Sequence, residues 1–331
     1  MTLTSLGDLA QSFMLRRQNV ALKFSQQQLA SAMASGRATD TARQVGGDFT
    51  ALSAIEASLT RLGSFKTATS EAATMTAAMQ VALSTVETLA SDHAPALLTA
   101  ANAGNVAAVG RDSIARFDAA IAALSVQTAG RSLFAGVATD GPALADAATI
   151  LAALDVATTG ATTAAGIEAA VTAWFAAPAG FAATGYLGGA ARAPTPIAPG
   201  ESVAVTATAL DPAITGTLKA LALGALLGRG ALAGNGAAQA NLARLSGEAL
   251  LSTQTQRVDL AAHIGLAEGQ IEQAAVRNAA ETSALEITRT GIVAVDPYET
   301  AMRLEATETQ LETLYAITAR ITRLSLLDFI R

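Results

Sequence analysis

The chain contains no cysteine in its 331 residues. Disulfides and thiolate metal sites are therefore excluded. Aromatic residues make up only 4% of a chain that is 51% hydrophobic. Much of the apolar fraction is alanine, so the side chains are small enough to let helices approach closely. Elongated helical packing fits that composition better than one thick globule. The formal net charge is −6 and the sequence pI is near 5.0. Without clustered Lys and Arg there is no electrostatic footprint for nucleic acid or anionic lipid. Only two histidines occur, His93 and His263, and neither belongs to a spacing that would put two imidazoles on one helical face. No catalytic, cofactor-binding or metal-ligating residue is assigned. The most apolar window, Ala220 to Gly228, is bounded by Lys219 and Arg229. It falls far short of the roughly 20 residues that span a bilayer, so no membrane insertion is expected. The start of the chain, through Asp8 to Arg16-Arg17, lacks the ordered basic, apolar and small-residue regions of a cleaved signal peptide.

What the sequence does contain is a long apolar stripe. Asp296-Pro297 opens a helix that is expected to run to Arg331, with apolar residues at Leu304, Leu311, Leu314, Ile317, Ile321, Leu324 and Leu327. These spacings draw one face of a helix. No later segment follows to cover it, so its partner is expected elsewhere. Leu6, Leu9, Phe13, Val20 and Phe24 repeat the pattern near the other end. The two ends are expected to pair as helices with each other or with neighbouring copies.

Between the ends, Gly36 and Thr39-Asp40-Thr41 break the first helix. A second pattern runs through Leu52, Ile55, Leu59, Leu62, Met75, Met79, Val86 and Leu89. His93-Ala94-Pro95 should end it, because proline disfavours helical angles in the preceding residue. A helix carrying Ile114, Phe117, Ile121 and Leu124 follows and stops at Gly130. From Gly141 to Gly216 the texture turns to alanine, threonine, glycine and proline. There Ile167 to Phe175 reads as a short helix, and Gly185 to Arg192 and Ser202 to Thr208 read as strands. Leu218, Leu221, Leu223 and Leu226 mark a buried helix, and a long helical stretch runs from near Asn241 to about Thr290. The expected fold is mainly α with a small β-containing insert. It combines a long antiparallel helical bundle or coiled-coil rod, formed from both termini, with a central α+β domain. The expected divisions are a terminal coiled-coil assembly zone (1–42 and 291–331), a helical rod (43–140 and 217–290) and a small outer domain (141–216).

Polar groups that could suggest chemistry have plainer readings. Glu305, Glu308 and Glu312 share a face of the last helix and read as its solvated side, with Glu299 and Arg303 as an i, i+4 ion pair. Glu268 with Glu272, and Arg277 with Glu281, read the same way. Gly228-Arg-Gly-Ala-Leu-Ala-Gly234 lacks dinucleotide-loop spacing and has no strand before it. No G-x-S-x-G elbow or Walker-type lysine is present. Trp174-Phe175 reads as core of the central segment.

Three stretches resemble flagellin-like proteins. The first is Ala32-Met-Ala-Ser-Gly-Arg-Ala-Thr-Asp40, in which a lone Asp40 stands where the family has paired aspartates and a proline. The second is Gln127-Thr-Ala-Gly-Arg-Ser-Leu-Phe-Ala-Gly136 with Thr139-Asp140. The third is Asp296-Pro-Tyr-Glu-Thr-Ala-Met-Arg-Leu304, continuing through Leu311-Glu-Thr-Leu-Tyr315 to Leu324-Ser-Leu-Leu-Asp-Phe-Ile-Arg331. Ser325-Leu-Leu-Asp-Phe329 and Leu133-Phe-Ala-Gly136 look most like the hook-filament junction branch, the hook-associated protein 3 type, with filament flagellin as the alternative.

The resemblance implies a structural, non-enzymatic subunit of the bacterial flagellum that needs no cofactor. It would be exported by the type III route without a cleaved signal and would lie outside the cell. The implied partners are copies of itself in a ring, a preceding hook-associated protein, flagellin on the distal side, and an export chaperone. It further implies that the ends order on assembly. An enzyme with its site in the central domain is the remote alternative.

Overall fold

The computed structural model describes the backbone of residues 3–329 and the side chains of residues 10–321. Its elements in order are α1 (Leu3–Ser35), α2 (Thr41–Gln44), α3 (Thr50–Ala103), α4 (Ala107–Leu124), β1 (Gln127–Thr128), β2 (Arg131–Ser132), α5 (Ala147–Ala157) and α6 (Ala164–Ala176). Then follow β3 (Thr195–Ala198), β4 (Glu201–Val203), α7 (Pro212–Gly228), α8 (Gly236–Ser252), α9 (Gln254–Val293) and α10 (Pro297–Phe329). The fold is mainly α, with long helices packed on one another and two short antiparallel hairpins, β1–β2 and β3–β4. Contacts divide the chain into two compact units, one of the two ends up to Arg61 and from Ala280, the other Leu62–Ala279.

In the unit of the two ends, α1 packs against α10. Gly36, at φ 67°, ends α1 in the left-handed region open to glycine. The backbone then pairs Arg37 with Ala294 as an antiparallel bridge, Ala38 N donating to Val293 O at 2.8 Å and Val295 N to Gly36 O at 3.2 Å. Asp296 caps α10: its Oδ1 accepts from the amides of Tyr298 (2.8 Å) and Glu299 (3.1 Å). Pro297 at the first helical position needs no amide partner.

The unit 62–279 has one large core, in which Phe117, Leu124, Phe134, Leu144, Ile150, Leu154, Ile167, Val171, Phe181, Leu218 and Leu221 all belong to the same buried cluster. Segment 141–216 thus shares its core with α4 and α7. Helix α7 sits almost wholly inside, as the leucine pattern predicts, and its entry is capped by Asp211, whose Oδ1 accepts from Ala213 N at 3.0 Å. Small residues set the helix spacing. A Cβ on Gly228 of α7 would collide with the Gly110 carbonyl of α4, and one on Gly224 would crowd Ser113 Oγ. Among the described residues, ring-to-ring contacts join Trp174, Phe175 and Phe181, in edge and stacked arrangements 4.8 to 6.0 Å apart. A second cluster places Ile197, Ala198 and Val203 of the β3–β4 hairpin on Ala72 of α3 and on Ala267, Ile271 and Ala274 of α9. Asn278 fixes it by donating from Nδ2 to the Ile197 carbonyl at 2.8 Å.

The structure differs from the sequence reading at five places. Helix α4 ends at Leu124 instead of running to Gly130, and the β1–β2 hairpin follows it. Helix α3 continues through Pro95 to Ala103 instead of ending at His93-Ala94-Pro95. Proline inside a helix costs about 3 kcal/mol. Here Pro95 lies on the exposed face, while His93, Ala94 and Leu97 are fully buried and anchor the helix on both sides. The strands are Thr195–Ala198 and Glu201–Val203, not Gly185–Arg192 and Ser202–Thr208. Residues up to Gly185 form a π turn that packs Phe181 inward. The stretch after Asn241 is two helices, broken at Thr253, whose hydroxyl and amide both bond the Ala249 carbonyl. Finally, Arg277 pairs with Glu201 of β4, not with Glu281.

Candidate assembly interface

Helices α1 and α10 run antiparallel. Gln26 Nε2 donates to Glu308 Oε1 at 3.2 Å, and the Lys23 ammonium lies 5.9 Å from the centre of the Tyr315 ring. Hydrogen bonds from Asn19 and Lys23 hold the Tyr315 hydroxyl below the usual phenol range.

The seam between the two helices follows a heptad. On α10 the buried or half-buried Thr300, Leu304, Thr307, Leu311, Leu314, Thr318 and Ile321 alternate four and three apart, with Ala301 half-buried beside the first. On α1 the half-buried Leu15, Asn19, Leu22, Gln26 and Leu29 keep the same alternation, with Ser25 and Gln28 half-buried beside them, and Ala32 is buried at the end. This is the spacing of a two-stranded coiled-coil seam. Leucines at seven-residue intervals carry the α1 face, and polar Asn19 and Gln26 occupy the positions between them. Polar residues in such places fix register at a cost in stability.

Of the α10 residues expected to make contacts, Leu304, Leu311, Leu314 and Ile321 lie in this seam. Ile317 does not: it is 46% exposed, and Thr318 takes the seam position beside it. The side chains of Leu324 and Leu327, and of Leu6 and Leu9 on α1, lie outside the described residues. Phe13, Val20 and Phe24 do not face α10. They are 68, 69 and 60% exposed and occupy the side of α1 opposite Leu15, Leu22 and Leu29. The reason is angular. At 100° per residue, positions 13, 20 and 24 cluster about half a turn from positions 15, 22 and 29. Helix α1 therefore carries two apolar stripes, one closed against α10 and one open. The sequence reading found the open stripe because its residues are larger. It missed the closed one because asparagine and glutamine interrupt the leucines.

Elsewhere, the arrangement that most resembles chemistry is an Asp112, His93, Ser113 set within the unit 62–279, in which the histidine and serine are buried and the aspartate is exposed. Ser113 Oγ donates to the Val109 carbonyl at 2.8 Å and so receives the His93 Nε2 proton at 2.6 Å. His93 Nδ1 is left without a hydrogen bond, 3.3 Å from Asp112 Oδ2, which is itself held by Arg116 at 2.7 Å. Burial pushes His93 down to about 4, Arg116 adds to that, and Asp112 opposes it. The order of groups is that of a nucleophilic triad, but Ser113 has no accessible surface and is packed against Gly224. A substrate carbonyl cannot reach it. His93 therefore acts as a polar tie between α3 and α4.

A second tie is the buried Arg257 on α9, which donates to Glu87 of α3, to the Leu250 carbonyl at 3.1 Å and to the Thr253 hydroxyl at 2.7 Å. His263 is exposed, as are Glu305, Glu308 and Glu312, and Glu299 pairs with Arg303 at 2.6 Å. Among the described residues no group of three or more His, Asp or Glu is placed to hold a metal ion, and no helix is long and apolar enough to cross a membrane.

Comparison with known proteins adds a finding at the same end of the chain. No curated protein matches the sequence. Residues 247–330, about a quarter of the chain, match the family model of the bacterial flagellin C-terminal helical region. The matched span takes in α9 and the α10 heptad, so this quarter of the chain is similar to the C-terminal helical region of bacterial flagellins.

Proposed function

We infer that this chain is a structural subunit of the flagellum that forms the junction ring between hook and filament. The observation that carries the assembly role is the open stripe of Phe13, Val20 and Phe24 on a helix whose other face is already closed by α10. A two-helix pair can bury only one side of each helix, so copies of the chain supply the remaining cover. The closed seam gives the ends a defined shape, and the open stripe gives them valence. The reaction is association, with no bond made or broken.

In this role the ring contacts a hook-associated protein on one side and flagellin on the other, outside the cell. An export chaperone shields the apolar ends beforehand. The junction branch is supported by Leu133-Phe-Ala-Gly136 and Ser325-Leu-Leu-Asp-Phe329. The second reading, a filament subunit, is supported by the match to the flagellin C-terminal region.

Deleting the gene and viewing cells by electron microscopy separates the two. Hooks without filaments, with flagellin released into the medium, are expected for the junction subunit. Loss of filaments with no released flagellin identifies the filament subunit instead. Purified protein supplies a second check: a junction subunit stays short on its own, whereas a filament subunit grows long polymers from seeds.

A further inference from the structure

Beside the β1–β2 hairpin, within the unit 62–279, lies a half-open groove of about 750 Å³. Its walls are apolar or small: Met75 and Ala72 of α3, Leu133, Val137 and Val205. Two guanidinium groups, those of Arg131 and Arg192, stand in the same lining.

Arg192 is partly buried and directs its donors at groups that carry no negative charge. Nε bonds the Gly136 carbonyl at 2.9 Å, one terminal nitrogen bonds the Ser132 carbonyl at 2.6 Å, and the other faces the Met75 sulfur. Neither arginine makes an ion pair among the described residues, although Arg257 and Arg277 each find a glutamate. Glu71, the acidic residue of the lining, pairs with neither. A half-buried guanidinium with no counter-charge is costly, and a second one at the same rim adds repulsion. The low-dielectric walls concentrate the resulting positive potential in the groove. Burial, and then the charge of Arg131, both disfavour the protonated form of Arg192.

We propose that this groove is a docking site for an extended peptide segment of a partner protein, one that carries a carboxylate between apolar side chains. The carboxylate supplies the negative charge that Arg131 and Arg192 lack, and the apolar neighbours lie on Met75, Leu133, Val137 and Val205. The volume falls within the range of roughly 300–1,000 Å³ typical of ligand sites, and the open side admits a continuous chain. Charge complementarity, not the apolar walls alone, selects this occupant.

The test uses the full chain and fluorescence anisotropy. The probe is a fluorescein-labelled hexapeptide alternating leucine with aspartate, and the control is the same peptide with asparagine. Sodium benzoate serves as a free carboxylate with an apolar body. The aspartate peptide is expected to bind at least about tenfold more tightly than the asparagine peptide, the size of one charge-assisted contact. Arg131→Gln is expected to remove most of that preference, and Arg131→Lys to restore part of it. Arg131 is exposed, so both variants should keep the native circular dichroism spectrum. Equal binding of the two peptides, an aspartate preference untouched by Arg131→Gln, or binding of benzoate without binding of peptide would each overturn the proposal.

Discussion

Replacing Phe13, Val20 and Phe24 together with serine separates assembly from folding. All three are about two-thirds exposed, so removing them takes little from the chain on its own. Serine, phenylalanine and valine also have similar helix propensities, so α1 keeps its backbone preference. In an assembly that covers the stripe, the balance changes. Full burial of a large apolar side chain is worth roughly 1.5–3 kcal/mol, and about two-thirds of that is still to be gained at each site, or about 4 kcal/mol for the three. That corresponds to roughly a thousandfold in association constant.

The expected result is a thermal melt unchanged within a few degrees, and a critical concentration for incorporation at hook ends or seeds about a thousandfold higher. Light scattering on seeded samples measures the second quantity and circular dichroism the first. Incorporation at the normal concentration would refute the idea that the open stripe is covered by neighbouring copies. A large fall in melting temperature would refute it in a different way, by showing that the stripe is already packed within one chain.

Other perturbations test the seam and the core. Leu314→Asp with Ile321→Asp places charge in the α1–α10 seam. It should abolish incorporation while leaving the unit 62–279 folded, as limited proteolysis would show. His93 is held neutral in the folded chain, at about 4 against an ordinary 6.5. Between those values the unfolded chain binds the extra proton, so His93's contribution is complete above pH 6.5 and is lost as pH falls towards 4. That loss amounts to roughly 3 kcal/mol. Urea midpoints for the wild type and His93→Asn should therefore differ in pH slope across that window, and parallel slopes would contradict the assignment. Gly228→Ala should cost about 2–3 kcal/mol, because the new methyl meets backbone at Gly110 and not a side chain that can move aside. A melting temperature equal to wild type would show that α4 and α7 have room to part.

Some of this architecture is written locally in the chain and some is not. Asp296-Pro297 reads as a helix start from two residues, and the structure finds both roles there. The buried α7 is legible because its apolar residues surround the helix. Pro95 misleads because its tolerance depends on which face it occupies, and that is decided by α4 and α8 packing on the other side. The short strands are placed differently because they are held by Asn278 and Arg277 of α9, some eighty residues away. The α1 seam escapes notice for a related reason: Asn19 and Gln26 qualify as interior residues only once α10 is alongside. The groove residues Arg131 and Arg192 come from distant parts of the chain and carry no shared spacing.

The threonines of α10 set how firmly the two ends hold together. Thr300, Thr307 and Thr318 share the α10 side of the seam with its leucines, and Asn19 and Gln26 share the α1 side, so closing the pair removes less oil from water than a leucine-only zipper would. Such a fastening can be undone and remade at small expense. If the chain is exported before it assembles, as the proposed role requires, a fastening of this kind could open for the passage and close again on arrival.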